Sequence, residues 1–266
     1  MPGGNRYPLN GIPLSRAELR KVVGKGHVYE FLNHFARDTV RFWDDFLVDT
    51  LNTDFYAAAA GGDATTWAHL AGTVNGVVKG ITGDTGATSG LQLYTPAFYK
   101  GDYNIGCIVR FQVSSIASLR LEIGFADVLP SVNTTVVNSL STPTFGSGPG
   151  DPGDAAVYVY DKTSTTVTTG LYTLGSGGIG AAKKAVTATT SPLYGEPAAN
   201  TYQTWRVEVV GNLATAWVDG ILVAQNTASA VEGGTAMSFV ISAKANADSS
   251  SHNILLDYVE VWHDRA

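Results

Sequence analysis

The chain has 266 residues, of which 44% are hydrophobic and 15% are charged, and its formal net charge is −6. This composition supplies apolar side chains for a large core and excludes global disorder. No run of eighteen apolar residues occurs, so the sequence excludes a membrane-spanning helix, and we expect no membrane partner. The single Cys107 excludes an internal disulfide and, with no visible export signal, predicts folding in a reducing compartment.

Charge is distributed unevenly along the chain. Residues 1–41 contain seven Lys or Arg and three acidic residues, whereas the rest contains ten against twenty. A basic leader on an acidic body predicts either an arm that docks on another surface or a solvated face of a small amphipathic helix. Direct nucleic-acid binding is not expected, because no basic patch with interleaved aromatic residues follows and the body is acidic.

The first elements in chain order belong to this leader. Residues 1–13 are rich in Pro and Gly and are predicted to be extended. Ser15 precedes Glu18 at the capping-box spacing, and apolar residues recur at helical intervals further on. Residues 15–41 are therefore predicted to form one or two short helices or a partly extended arm. They are too few to form a core alone, so they must pack on the body or on another chain.

The domain prediction is an N-terminal arm over residues 1–42 and a β-sandwich over residues 43–266. The arm combines basic and large apolar side chains, which suits it to attachment. The candidate partner-binding residues are Arg16, Arg20, Lys21, Lys25, Phe31 and Phe35.

From Trp43 onward the pattern indicates strands. Apolar residues alternate strictly along residues 105–113 and 119–125, which is typical of half-buried antiparallel strands. Asp219-Gly220 is a strong two-residue hairpin signal. Residues 130–153 form a long polar excursion, either a loop or a poorly ordered edge. About a dozen strands without interleaved helices predict an all-β, two-sheet antiparallel sandwich.

The carboxy-terminal strands resemble those of the concanavalin A-like, or laminin G-like, jelly-roll sandwich. The shared features are "WRVEV" at 205–209, "AWVDGILVA" at 216–224 and the closing "LLDYVEVW" at 255–262. Together with "WDDFLVDTLNTDFY" at 43–56, "IGCIVRFQVSSIASLRLEIGFAD" at 105–127 and "DAAVYVYD" at 154–161, they resemble a widespread group of tailed-bacteriophage virion proteins.

This resemblance implies a structural component of a bacteriophage virion, assembled in the host cytoplasm. The implied role is a capsid decoration or minor capsid protein, a homo-oligomer attached through its arm to the major capsid protein or other virion proteins. The alternative is a tail or head-fibre adhesin that binds host surface glycan. A glycoside hydrolase is the second alternative, because sandwiches of this kind serve in all three roles.

The sequence lacks the patterns of catalytic residues that are typical of enzymes with this fold. Laminarinase-type glycosidases of this fold carry paired acids on one strand, in a pattern like E-x-D-x-x-E, which alternation sends to one face. The nearest candidates are Asp257 and Glu260, and their separation of three predicts opposite faces. Cys107 lies in an apolar strand and is predicted to be a core thiol. The five histidines are scattered, so no zinc site is expected. We therefore predict that the chain is not an enzyme.

Two ligands remain open at the sequence level. No cofactor is predicted, although calcium is possible at Asp151 and Asp154 or at Asp84, where ordinary turn chemistry is the competing interpretation. Glycan binding needs exposed aromatic rings beside polar groups. Trp205 and Trp217 fall within strands and are predicted to lie in the core or to take part in inter-strand packing. The loop candidates for glycan stacking are Trp67, Tyr94, Tyr99, Tyr103, Tyr172 and Tyr194.

Overall fold

The protein is described by a computed structural model. It describes residues 6–9, 12–15, 39–47, 50–72, 76–84, 89–132, 134–140, 144–145, 152–164, 168–175, 195–211, 213–226, 231–246 and 250–265. The chain divides into two compact units, one comprising Met1–Arg41 with Asp264–Ala266 and the other Phe42–His263.

The smaller unit begins with an antiparallel pair of strands, β1 (Arg6–Leu9) and β2 (Ile12–Ser15). These strands agree with the extended character predicted for the start of the chain. Ser15 ends β2. Residues 16–38, and with them the predicted helices and the six candidate partner-binding residues, lie outside the described residues. The division of the chain at residue 42 stays a prediction.

The further described strands are antiparallel and belong to the larger unit, apart from Thr39–Arg41 and Asp264. In chain order the further described strands are β3 (Thr39–Asp44), β4 (Ala57–Ala60), β5 (Thr65–His69), β6 (Val78–Ile81), β7 (Gly90–Tyr94), β8 (Tyr99–Lys100), β9 (Ile105–Val113), β10 (Leu119–Ala126), β11 (Val137–Ser139), β12 (Thr144–Phe145), β13 (Ala155–Asp161), β14 (Thr169–Leu174), β15 (Gln203–Val210), β16 (Leu213–Val218), β17 (Ile221–Asn226), β18 (Ala236–Ala245) and β19 (Asn253–Asp264). Helical structure among the described residues is confined to a single 3₁₀ turn at Gly101–Tyr103. None of their helices is long and apolar enough to cross a membrane.

Most of these strands form two sheets. The seven-stranded sheet has the order β14-β13-β10-β18-β7-β4, with β8 paired to β18. The eight-stranded sheet has the order β17-β16-β15-β9-β19-β6-β5, with β3 paired to β19. A separate two-stranded pair joins β11 and β12. The predicted all-β, two-sheet antiparallel sandwich is therefore confirmed.

The main core lies between the two sheets. Alternate residues of β9 and β15 point into it, because successive side chains of a strand point to opposite faces. Trp205 is fully buried and packs edge-to-face against Phe111 of its own sheet and Tyr158 of the opposite one, with ring centroids 4.9 and 4.8 Å away. Cys107 also lies here, and burial raises the pKa of its thiol, as expected for a core cysteine.

A second apolar cluster covers the outward face of the seven-stranded sheet. Residues 128–132 and 134–140, here called the covering segment, place Val136, Val137 and Leu140 against β13 and β14. As a result, every residue of β10 is buried. The prediction of half-buried strands is thus right for β9 and wrong for β10. This part of the segment predicted as a polar excursion packs on the sheet, because its few apolar residues cluster there.

Candidate functional site

The outward face of the eight-stranded sheet, here called the open face, differs from the covered one. Trp205, Val207 and Val209 of β15 point into the core, so the residues between them point outward. The outward side chains of β9, β15 and β19 are mostly half-buried, because large polar and aromatic groups pack beside one another on this face.

One group on the open face, the tryptophan cluster, surrounds Arg206. The guanidinium carbon of Arg206 lies 4.7 Å from the ring centroid of Trp217 and 5.7 Å from that of Trp262. Glu208 accepts a hydrogen bond of 2.8 Å from Nε of Arg206 and forms an ion pair with the same guanidinium. Cation–π contacts and a carboxylate therefore fix the orientation of Arg206 between two indole rings.

The indole of Trp262 lies across Gly106 of β9, its partner in the sheet. A Cβ atom at position 106 would come within 2.2 Å of a ring carbon of Trp262. Because real Cβ contacts are never that short, the glycine is what allows this ring to lie close to the strand. The position of Trp262 thus depends on a residue that has no side chain.

A second group, the tyrosine cluster, surrounds Arg110. Its guanidinium carbon lies 4.5 Å from the ring centroid of Tyr202, and the guanidinium pairs with the carboxylate of Asp257. Partial burial and the nearby carboxylate raise the pKa of the Tyr202 hydroxyl. The tyrosine cluster therefore repeats the plan of the tryptophan cluster: an arginine held over an aromatic ring by a carboxylate.

The position of Asp257 depends on a β-bulge. Leu256 and Val259 are both core residues, and the pairing of β19 with β9 shifts register between Leu256 and Tyr258. The extra residue places both Asp257 and Glu260 on the open face, because Glu260 lies between the core residues Val259 and Val261. The prediction that the two acids point to opposite faces is wrong, since simple alternation fails at a bulge.

A shallow depression of about 180 Å³ adjoins the tyrosine cluster. Gln112, two residues after Arg110 on β9, reaches it on the same face. Amide, hydroxyl and ammonium groups supply most of its polar lining, with two leucines beside them. The lining residues are Leu70, Lys79, Gln112, Ser114, Asn200, Asn253 and Leu255.

The covered face also carries charges, but they are buried. Arg120 forms ion pairs of 2.9 Å with both Glu122 and Asp161. Glu122 accepts hydrogen bonds of 2.7 and 3.3 Å from the backbone N–H groups of Val136 and Val137. Burial raises the pKa of the Glu122 carboxyl, although Arg120 acts in the opposite direction. These charges hold the covering segment on the sheet, and their side chains are at most 9% exposed.

The predicted calcium ligands fall into different places. The N–H group of Asp84 donates to the carboxylate of Asp63 at 3.0 Å, and the hydrogen bond and charge of Asp63 raise the pKa of the Asp84 carboxyl. Asp154 is buried and accepts the backbone N–H of Glu232. Asp151 lies outside the described residues. Within the described part of the chain, no group of three or more His, Cys, Asp or Glu side chains is placed to hold a metal ion.

The aromatic residues predicted to bind glycan are mostly internal. Trp67, Tyr99 and Tyr172 are buried, Tyr94 and Tyr103 are half-buried, and Tyr194 lies outside the described residues. Sequence reasoning missed Tyr202, which is half-buried, and Trp262, which is 9% exposed. For Trp217 the structure shows inter-strand packing, on Arg206. The signal was strand parity: Trp217 pairs with Arg206, whose neighbours Trp205 and Val207 belong to the core.

No protein-family model matches the chain, and no curated protein matches its sequence significantly. Three solved structures are similar to it. They are a β-glucanase from Bacillus licheniformis (13% identity, 83% of this chain and 97% of that chain, TM-score 0.52), a prokaryotic β-1,3-1,4-glucanase (lichenase) derived from a mouse hindgut metagenome (11%, 84% and 98%, 0.53), and peanut lectin (11%, 85% and 97%, 0.53). These likenesses confirm the concanavalin A-like jelly-roll fold.

The same neighbours correct the prediction that the chain is not an enzyme. Several of them are glycoside hydrolases, so the fold is one that carries this activity, and the prediction is contradicted. The bulge also places Asp257 and Glu260 on the same face, so their spacing in the sequence no longer argues against a pair of catalytic acids. At identities this low the likeness shows the fold alone. The bacteriophage virion, the partners and the location therefore stay predictions.

Proposed function

We propose that the protein binds glycans through the open face of its eight-stranded sheet. The observation that carries this proposal is the pair of clusters in which Arg110 and Arg206 are each held over an aromatic ring by a carboxylate. Lectins and glycoside hydrolases with the same fold support a carbohydrate ligand.

The chemistry of a sugar fits such clusters. One face of a pyranose ring presents C–H groups, which pack on an aromatic ring, while its hydroxyls need donors and acceptors at the ring edge. Trp217 and Tyr202 supply aromatic surface, and the guanidinium and carboxylate groups beside them supply donors and acceptors. Because the ion pairs already hold these groups in place, little conformational entropy is lost when a ligand binds.

Of the two virion roles predicted from the sequence, glycan binding supports the adhesin. A capsid decoration protein needs a docking surface, whereas an adhesin needs an exposed surface that recognises host glycan, as the open face would. Attachment to a particle through residues 1–42 remains part of the proposal and rests on the basic and apolar character of that segment. Copy number in purified particles would test it: hundreds of copies favour a shell protein and about a dozen a fibre.

The direct test is affinity electrophoresis in gels that contain soluble polysaccharides. Trp217→Ala should weaken retardation by about thirtyfold in affinity, because truncating a central tryptophan of a binding surface typically removes about 2 kcal/mol. Phe98→Ala is the matched control, since Phe98 is 39% exposed and its backbone N–H bonds to β18 of the seven-stranded sheet. Equal retardation of both variants and the wild type would contradict binding at the open face.

Hydrolysis of the bound glycan is a second candidate, favoured by the bulge. It brings Asp257 and Glu260 to the face that carries the aromatic rings, and glycosidases use two carboxyl groups as acid and as base or nucleophile. If this candidate holds, the polysaccharides that bind should release reducing ends, and Glu260→Gln should abolish the release. Release that persists in both Glu260→Gln and Asp257→Asn would exclude these two acids.

A further inference from the structure

We infer that the ligand of the open face is a neutral, extended oligosaccharide that occupies three subsites in a row. This inference rests on the proposed function and adds the charge and the length of the ligand. It follows from the charge balance of the face and from the register of β9, β15 and β19.

The charge of the ligand is inferred from the charged side chains of the two clusters, the depression and β19. Arg206 and Arg110 already have carboxylate partners, Glu208 and Asp257. Lys79 in the depression and Glu260 on β19 add one charge of each sign. At the two clusters, an anionic sugar would have to displace a carboxylate from an arginine and would meet the repulsion of that carboxylate. A neutral sugar meets neither obstacle, and its hydroxyls can bond to both partners of each ion pair.

The three subsites follow from the register of the strands. Arg206 pairs with Ile108 and Thr204 with Arg110, so the two arginines are diagonal neighbours, whose Cα atoms lie about 7–8 Å apart. Gln112 of the depression is two residues beyond Arg110 on the same strand, a further rise of about 7 Å. The tryptophan cluster, the tyrosine cluster and the depression therefore form one row along β9.

The depression sets the end of this row. Its volume of about 180 Å³ lies below the range of about 300–1,000 Å³ in which pockets enclose a drug-sized ligand. It suits one polar sugar unit, and its amide side chains, Gln112, Asn200 and Asn253, match sugar hydroxyls. The two aromatic clusters are open surfaces that suit further units of the same chain. Affinity should therefore rise with chain length until all three subsites are filled.

The test is calorimetric titration of the full chain with two matched panels. The neutral panel contains mono-, tri- and hexasaccharides of glucose, mannose, galactose and xylose, and the anionic panel contains oligomers of galacturonate, mannuronate and hyaluronan. We expect at least one neutral hexasaccharide to bind at least about tenfold more tightly than its monosaccharide and than every anionic oligomer. Raising the salt from about 50 to about 500 mM should change its affinity less than twofold, because no net charge is neutralised.

The outcomes separate the inference from the proposed function. Tighter binding of an anionic oligomer, lost in Trp217→Ala, would overturn the neutral ligand and leave glycan binding at the open face intact. Equal affinity for a monosaccharide and its hexasaccharide would overturn the row of subsites. Binding by neither panel would contradict the proposed function itself.

Two variants test whether the carboxylate paired with Arg206 disfavours anionic ligands. Glu208→Gln leaves a side chain of similar shape but removes the carboxylate that pairs with Arg206. It should raise affinity for the anionic hexasaccharides several-fold and lower that for the neutral ones, which lose a charged hydrogen-bond acceptor. Glu232→Gln, in a loop away from the row, is the matched control and should change neither. An anionic affinity that stays the same in Glu208→Gln would overturn the role of charge balance.

Discussion

The outward faces of the two sheets carry similar residues in different surroundings. On the seven-stranded sheet, Arg120 pairs with Glu122 beneath the covering segment, and their side chains are 6% and 0% exposed. On the eight-stranded sheet, Arg206 pairs with Glu208 at the same sequence spacing, and the arginine side chain is 43% exposed. The comparison shows that the same R-x-E pattern on a strand can form a buried ion pair or a partly exposed one. What lies over the strand decides whether the pair supports the fold or faces a ligand.

The largest difference between the two faces should appear in stability. Arg120→Ala leaves Glu122 and Asp161 buried without their cation, and breaking a buried ion pair in this way costs about 3–5 kcal/mol. Arg206→Ala is the matched control and should cost no more than about 1 kcal/mol, since exposed pairs contribute little. Denaturant unfolding measures both. Equal losses would show that the two faces do not differ energetically.

The covering segment should contribute apolar stability as well. Leu140 is 4% exposed, and Leu140→Ala should lower the free energy of unfolding by about 2–3 kcal/mol because it leaves a cavity. Leu222 is 50% exposed, so Leu222→Ala should change the same quantity by less than about 0.5 kcal/mol. If Leu140→Ala proves as mild as its control in denaturant titrations, the segment does not pack on the sheet in solution.

Gly106 offers a way to disturb the open face with a single methyl group. In Gly106→Ala the new Cβ would lie 2.2 Å from a ring carbon of Trp262, so the indole must move. We expect glycan affinity to fall by about tenfold, or about 1.4 kcal/mol, with a smaller loss of stability. Affinity electrophoresis and thermal unfolding measure the two effects. Unchanged affinity would exclude Trp262 from the binding surface.

The smallest effect concerns pH. Burial raises the folded-state pKa of Glu122 above the ordinary value of 4.5, so the folded state binds the proton more tightly than the unfolded state. The resulting stability is complete below the unfolded pKa and is lost as the pH rises through the folded pKa. The stability advantage of wild type over Glu122→Gln should therefore shrink as the pH rises from about 4.5. An advantage that grows with pH would indicate a lowered pKa instead.

The fold was predictable because its signals are local. Alternation along residues 105–113 marks the buried and exposed sides of β9 without knowledge of its neighbours. The hairpin at Asp219-Gly220 was equally clear, and both residues have positive φ, at 49° and 80°. Asp219 also accepts a hydrogen bond from the N–H of Thr204, which ties the turn to β15.

The candidate site was less predictable because it depends on pairing between distant strands. The bulge at Asp257 arises where β19 pairs with β9, so the sequence of β19 alone suggests that Asp257 and Glu260 diverge. The burial of Glu122 depends on residues 136 and 137, which reach back over the sheet. The sequence left core and inter-strand packing both open for Trp217, because its parity relative to Arg206 becomes clear only from the register of β15 and β16.

The chain contains five tryptophans, and their indole N–H signals in a ¹H–¹⁵N correlation spectrum can test the central claim directly. Trp217 and Trp262 belong to the tryptophan cluster, Trp67 and Trp205 are in the core, and Trp43 lies on β3 of the same sheet as the cluster. When the tightest-binding neutral hexasaccharide is added, we predict that the signals of Trp217 and Trp262 shift with the binding isotherm and those of Trp67 and Trp205 stay in place. The absence of any shift at Trp217 and Trp262 would contradict glycan binding at the open face.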